Sequence, residues 1–136
     1  MEAAKQPELL GSGVAIVRGF AAFDLLVTAL LVWPPSARGF VDVLYRVNGY
    51  FGGVSTPPFF DSIQLFFVCL AGVLGVLWAL VRLVSPSRLL VFLDAGGRVV
   101  VSLLILFFVL AGSAPTLLLL FVVTELLGAM AEARVR

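Results

Sequence analysis

Four stretches of roughly twenty mostly apolar residues dominate this chain, each about the length that a helix rising 1.5 Å per residue needs to cross a hydrocarbon layer of about 30 Å. They fall at residues 14–33, 62–83, 89–112 and 115–133. A single water-soluble core could not bury so many unbroken runs. The composition agrees, since 62% of the 136 residues are hydrophobic and 12% are charged, whereas soluble domains carry about 25% charged residues. The expected fold is an all-α integral membrane protein, a four-transmembrane-helix antiparallel bundle forming one membrane domain over residues 1–136.

The connections carry their own signals. Residues 1–11 mix charge with Pro7 and read as a short solvated tail. Trp33, Pro34 and Pro35 supply an interfacial aromatic and a stop for the first span. Arg38, Asp42 and Arg46 then recur every four residues among apolar neighbours, which predicts a short amphipathic helix over residues 37–50 lying in the membrane interface. Asn48, Gly49, Gly52, Gly53, Pro57 and Pro58 interrupt regular structure after it. Asp61 or Ser62 is a natural N-cap for the second span, and Pro115 suits the first position of the fourth. Between the second and third spans, Ser85-Pro86-Ser87-Arg88 leaves room only for a tight antiparallel hairpin.

Small residues mark candidate packing seams. Ala71, Gly75 and Ala79 recur at four-residue spacing, as do Gly11, Ala15 and Gly19, while Gly96 and Gly97 sit beside Asp94 and Arg98. Such spacings let helix backbones approach closely in a membrane.

The informative residues are the charges inside the apolar runs: Arg18 and Asp24 on the first, Asp94 and Arg98 on the third, and Glu125 on the fourth. A charge near the bilayer centre costs at least about 2.5–3.5 kcal/mol, so these groups need partners or water. Depth arithmetic pairs Arg18 with Asp94 and Asp24 with Arg98, lets Glu125 join the deeper pair, and leaves one excess negative charge among the five. Orientation follows from the basic residues of the short connections: Lys5, Arg82, Arg88, Arg134 and Arg136 on one side against Arg38 and Arg46 on the other. Five against two puts both termini in the cytoplasm. An Arg-, Ala-, Val-, Leu- and Gly-rich composition makes the bacterial inner membrane the expected location.

Several function classes are excluded. Without a histidine, and with Cys69 as the one cysteine, the chain has no Ser-His or Cys-His nucleophile pair, no histidine-ligated metal or haem, and no intramolecular disulfide. No cofactor or metal is expected, and the scattered charges do not make a nucleic-acid surface. The string Leu93-Asp94-Ala95-Gly96-Gly97-Arg98 resembles the acidic signature of CDP-alcohol phosphotransferases, but the further aspartates that would bind metal are missing. Asp24, a carboxylate on the first of four spans, is similar to the membrane carboxylate of small multidrug transporters, although Arg18, Arg98 and Glu125 depart from that pattern.

The reading that remains is a small non-enzymatic membrane protein in contact with the lipid bilayer. It would be an accessory or assembly subunit, with another membrane subunit or a second copy as partner, or a bundle binding lipid or an apolar ligand. A proton- or ion-coupled transporter using Asp24, Arg98 and Glu125 is the alternative, and an intramembrane aspartyl enzyme using Asp24 and Asp94 a further one.

Overall fold

The computed structural model describes residues 11–112 and 114–134; the expected solvated tail, with Lys5, and the terminal Arg136 lie outside the described residues. These residues form five α-helices and no strand: α1 (Gly11–Ala29), α2 (Pro34–Tyr50), α3 (Ser62–Val84), α4 (Arg88–Leu110) and α5 (Leu119–Ala133). A single 3-10 turn, Thr116–Leu118, leads into α5. Four segments, Gly11–Ala29, Ser62–Val84, Arg88–Leu110 and Thr116–Ala133, are long and apolar enough to cross a membrane, which is compatible with a multi-pass membrane protein.

Local chemistry accounts for the boundaries. The first span stops four residues earlier than expected, at Ala29, where backbone bonds from Leu31 to Thr28 and from Val32 to Ala29 close a tight turn. Pro34 and Pro35 therefore do not terminate α1. They occupy the first positions of α2, where a missing N–H costs nothing because those donors have no intrahelical partner. Trp33 before them is held extended, as a residue preceding proline prefers. At α3 the Asp61 side chain accepts from the Gln64 N–H at 2.7 Å, and the Gln64 side chain accepts in return from the Asp61 N–H at 3.1 Å. Ser87 caps α4 through the Leu90 N–H. Gly112, at φ +70, makes the left-handed turn that ends α4.

Packing divides the molecule into two helix pairs. α1 lies along α3 and α4 along α5, while the backbones of the two pairs come close at few places. The surfaces of these helices are the inverse of a soluble protein's. Inner positions are small, polar or valine: Gly13, Val17 and Ala21 on α1; Gly72, Ala79 and Arg82 on α3; Val91, Asp94, Arg98 and Ser102 on α4; Val122, Gly128, Ala129 and Glu132 on α5. Large apolar side chains such as Leu26, Phe66, Phe92, Leu103 and Leu120 face outward. Lipid tails are as apolar as leucine, so close backbone approach and polar contact, not apolar burial, hold such helices together.

The packing seams lie beside those expected from spacing. A side chain at Gly72 would strike the backbone of Leu31 and Val32, and one at Gly75 would strike Thr28. The seam on α3 thus runs through Gly72, Gly75 and Ala79, while Ala71 is exposed. On α1 it runs through Gly13, Val17 and Ala21; Gly11 and Gly19 meet nothing within 4 Å. Gly96 and Gly97 likewise border open space and bring no helix close. In α2, Arg38 and Arg46 are exposed and Asp42 is half-buried, while Ala37, Tyr45 and Asn48 are buried. Asn48 ties this helix to the last span: its Oδ1 accepts from Thr116 Oγ1 and the Leu117 N–H, each at 2.9 Å, and its Nδ2 donates to the Val54 carbonyl at 2.9 Å.

Candidate functional site

Where the two helix pairs face one another, six charged side chains meet. α1 contributes Asp24, α3 Arg82, α4 Asp94 and Arg98, and α5 Glu125 and Glu132. Spacing explains the convergence. Asp94 and Arg98 are four residues apart on one face of α4. Glu125 and Glu132 are two turns apart on α5, and Arg82 follows the small residues of the α3 seam at intervals of four and three.

Arg98 is the hub. Its Nη2 donates to Asp24 Oδ2 at 2.5 Å, its Nη1 to Glu125 Oε2 at 2.8 Å and its Nε to Asp94 Oδ2 at 2.9 Å. All three nitrogens of one guanidinium are committed, each to a different carboxylate on a different helix. Gly128 makes room for it: a Cβ there would stand 3.0 Å from the Arg98 Cδ and Nε. The Phe20 ring lies 5.2 Å from the guanidinium carbon, within cation–π range.

Arg82 bridges the helix pairs in parallel. Its Nη2 donates to Asp24 Oδ2 at 2.5 Å and its Nη1 to Asp94 Oδ2. Trp78, one turn earlier on α3, donates from its indole N–H to Asp94 Oδ1 at 2.6 Å, which fixes the ring beside the carboxylate. Arg82 is only 1% exposed.

Glu132 completes the group differently. It is 0% exposed, and its Oε1 and Oε2 approach Arg82 and Arg98 at 3.7 and 3.8 Å, yet neither oxygen takes a hydrogen bond. Four carboxyl groups therefore face two guanidiniums. With all six ionised the group would carry two excess negative charges, a state that low-dielectric surroundings oppose unless protons or cations compensate.

These contacts test the sequence expectations one by one. The pairing of Asp24 with Arg98, and the joining of Glu125, are present. Arg18 does not reach Asp94: it is exposed, and its Nε donates to the Leu83 carbonyl at 3.1 Å, near the end of α3. A long side chain close to a helix end finds that backbone oxygen more readily than a carboxylate on another helix pair. The place expected for Arg18 is taken by Arg82, which the sequence counts among the basic residues of the connections. Glu132 lies near the end of the expected fourth span and is not among the five charges expected to be buried.

A cavity of about 360 Å³ opens beside the network. Phe23, Trp78 and Phe121 wall it, and Asp24 and Glu125 border it, each 18% exposed at the side chain. A larger groove of about 890 Å³ runs along the outer side of α4 and α5 past Val91, Phe92, Ala95, Leu126 and Met130. Arg88 and Glu132 also border that groove; the rest of its lining is apolar, as a lipid-facing surface is. No three histidine, cysteine, aspartate or glutamate side chains among the described residues are grouped to hold a metal ion.

No protein-family profile, curated protein or solved structure matches the chain.

Proposed function

We propose that this chain is a small non-enzymatic membrane protein, an antiparallel four-helix bundle that binds a small lipid-soluble ligand between its two helix pairs. The observation that carries this reading is the 360 Å³ cavity bordered by Asp24, Trp78, Arg98 and Glu125. Its size lies within the range of about 300–1,000 Å³ typical of small-molecule sites. An accessory subunit would instead be favoured by a charge aimed at lipid and awaiting a partner; the charged groups of the network turn inward, and the exposed Arg18 donates to the Leu83 carbonyl. Antiparallel packing of α1 on α3 is supported by the sequence of contacts Arg18 with Leu83, Thr28 with Gly75 and Leu31 with Gly72.

The bacterial inner membrane, with both termini cytoplasmic, remains the proposed location. Removing the buried Arg82 from the count leaves Lys5, Arg88, Arg134 and Arg136 against Arg38 and Arg46, four against two, which keeps the same orientation. A cysteine placed at the exposed Ser55 should then react with a membrane-impermeant thiol reagent from the periplasm; reaction only in inverted vesicles would reverse the orientation.

The decisive experiment is purification from native membranes in mild detergent followed by native mass spectrometry. One defined small molecule or lipid at a stoichiometric level supports the ligand-binding reading. A stoichiometric second polypeptide with no small molecule turns it to an accessory subunit. A second reading, an ion-coupled transporter, is favoured by one observation, the two excess carboxylates of the network. The aspartyl-enzyme reading has less support, because Asp24 Oδ2 and Asp94 Oδ2 are both engaged by guanidinium donors, whereas a catalytic carboxylate pair shares a proton between its members.

A further inference from the structure

We propose that the groove on the outer side of α4 and α5 binds one phospholipid with a net-negative headgroup, an acyl chain lying along the groove and the phosphate held at Arg88. The groove is separate from the cavity between the helix pairs, so this site stands whether or not that cavity holds a ligand.

The groove has the depth of one membrane leaflet. It runs along α4 from Arg88 to Val99, which at 1.5 Å per residue is about 16 Å. Half of a hydrocarbon layer of about 30 Å is about 15 Å. Arg88 is the first residue of its span, so the groove begins at headgroup level and ends near the bilayer centre, the course of an acyl chain. Its volume of about 890 Å³ exists because Ala95, Gly96, Ala129 and Ala133 stand where larger side chains would fill it. Helix packing does not require the smallest of these, since a Cβ at Gly96 meets nothing within 4 Å. Phe92, Val99 and Met130, all exposed, supply apolar surface for the chain to pack against.

Charge at the shallow end selects the headgroup. Arg88 is exposed there, and Arg134 is exposed one residue beyond Ala133. The ion pairs among the described residues use Arg82 and Arg98 and leave these two arginines out. Glu132 also borders the groove, but it is fully buried and its carboxyl oxygens are turned inward, 3.7 and 3.8 Å from Arg82 and Arg98. The accessible charge at this end is therefore positive. It complements a phosphate, whereas the ammonium of a zwitterionic headgroup would find no exposed carboxylate beside it. Basic groups between transmembrane helices at the cytoplasmic surface hold anionic lipids in this way, and in the orientation proposed above this end faces the cytoplasm. A companion groove of about 450 Å³ along α1 and α5, lined in part by Gly19, has no charged residue in its lining.

Native mass spectrometry tests the site on the full-length protein, equilibrated in mild detergent with equal amounts of phosphatidylglycerol and phosphatidylcholine carrying identical acyl chains. One retained lipid is expected, with phosphatidylglycerol favoured about fivefold or more. Arg88→Gln should lower that preference about fivefold, the effect of one basic residue at an anionic surface. Gly96→Leu should remove most of the retained lipid whatever its headgroup, because the new side chain fills the groove. Both variants should unfold at the wild-type temperature, since Arg88 is exposed and Gly96 borders open space. Gly19→Leu, in the companion groove, should change nothing. Equal retention of the two lipids, or a preference that survives Arg88→Gln, overturns the assignment of the headgroup to Arg88. Retention that survives Gly96→Leu, or falls equally in Gly19→Leu, overturns the groove as the site and leaves the ligand of the inner cavity untouched. A lipid-free monomer overturns the proposal outright, and a lipid-free dimer does so by showing that a second copy covers this face.

Discussion

The molecule has two polar joints, and they are built on different principles. At the Asn48 joint one neutral amide, 1% exposed, receives two hydrogen bonds from the start of the last span and donates one to Val54. Each side of the amide is satisfied, no charge is involved, and a side chain at Gly53 would collide with it. At the ionic network six charged groups engage one another, yet the balance does not close: Glu132 has no donor and two carboxylates border a cavity. A joint that closes on itself needs nothing from outside. One that does not close has capacity left over, and that difference separates a structural fastening from a site.

Four substitutions can break or sharpen this contrast. The largest effect is expected at Arg98→Ala, which strands Glu125 and leaves Asp24 and Asp94 with Arg82 as their one guanidinium, and should cost about 3–5 kcal/mol, the range for removing one partner of a buried ion pair. Adding Asp24→Asn should restore part of that loss, and thermal unfolding in detergent measures both; strictly additive losses would deny that the two residues are coupled. Asn48→Ala should cost about 1–3 kcal/mol, because it leaves the Leu117 N–H and Thr116 hydroxyl without their acceptor. This loss should be insensitive to salt and to charge changes elsewhere. The smallest effect, and one of opposite sign, is expected at Glu132→Gln. Removing a carboxylate that takes no hydrogen bond relieves the excess charge, so the unfolding temperature should stay level or rise slightly. A loss as large as that of Arg98→Ala would mean that Glu132 is an indispensable partner and that the network is closed after all.

Much of this architecture is written locally in the sequence. The apolar runs locate the four spans to within a few residues, and depth arithmetic alone brings Asp24, Arg98 and Glu125 together. What it missed has a common cause. Arg82 and Glu132 stand within two residues of their helix ends, where a linear reading assigns charge to the water phase, whereas both side chains turn inward toward the facing helix pair. A signal for them was present: Arg82 continues the small-residue face of Gly75 and Ala79, and Glu132 lies seven residues beyond Glu125 on the face of Gly128. Weighing which face a terminal charge occupies, and not only its distance from the end, would have found both. The packing seams were misplaced because four-residue spacing occurs on several faces of a glycine- and alanine-rich helix, and only the facing backbone selects one. Pro34 and Pro35 fit a helix stop and a helix start equally well in sequence, because proline ends the helix before it as readily as it begins the one after it.

The pairing of α1 with α3 imposes an order on how the chain enters the membrane. Asp24 emerges in the first span, but Arg82 follows 58 residues later and Arg98 74 residues later. During synthesis the first helix therefore carries a carboxyl group whose guanidinium partners do not yet exist, and the hairpin between α3 and α4 must deliver both of them to opposite helix pairs. The charge pairing of the first helix is thus completed only by residues from the second half of the chain.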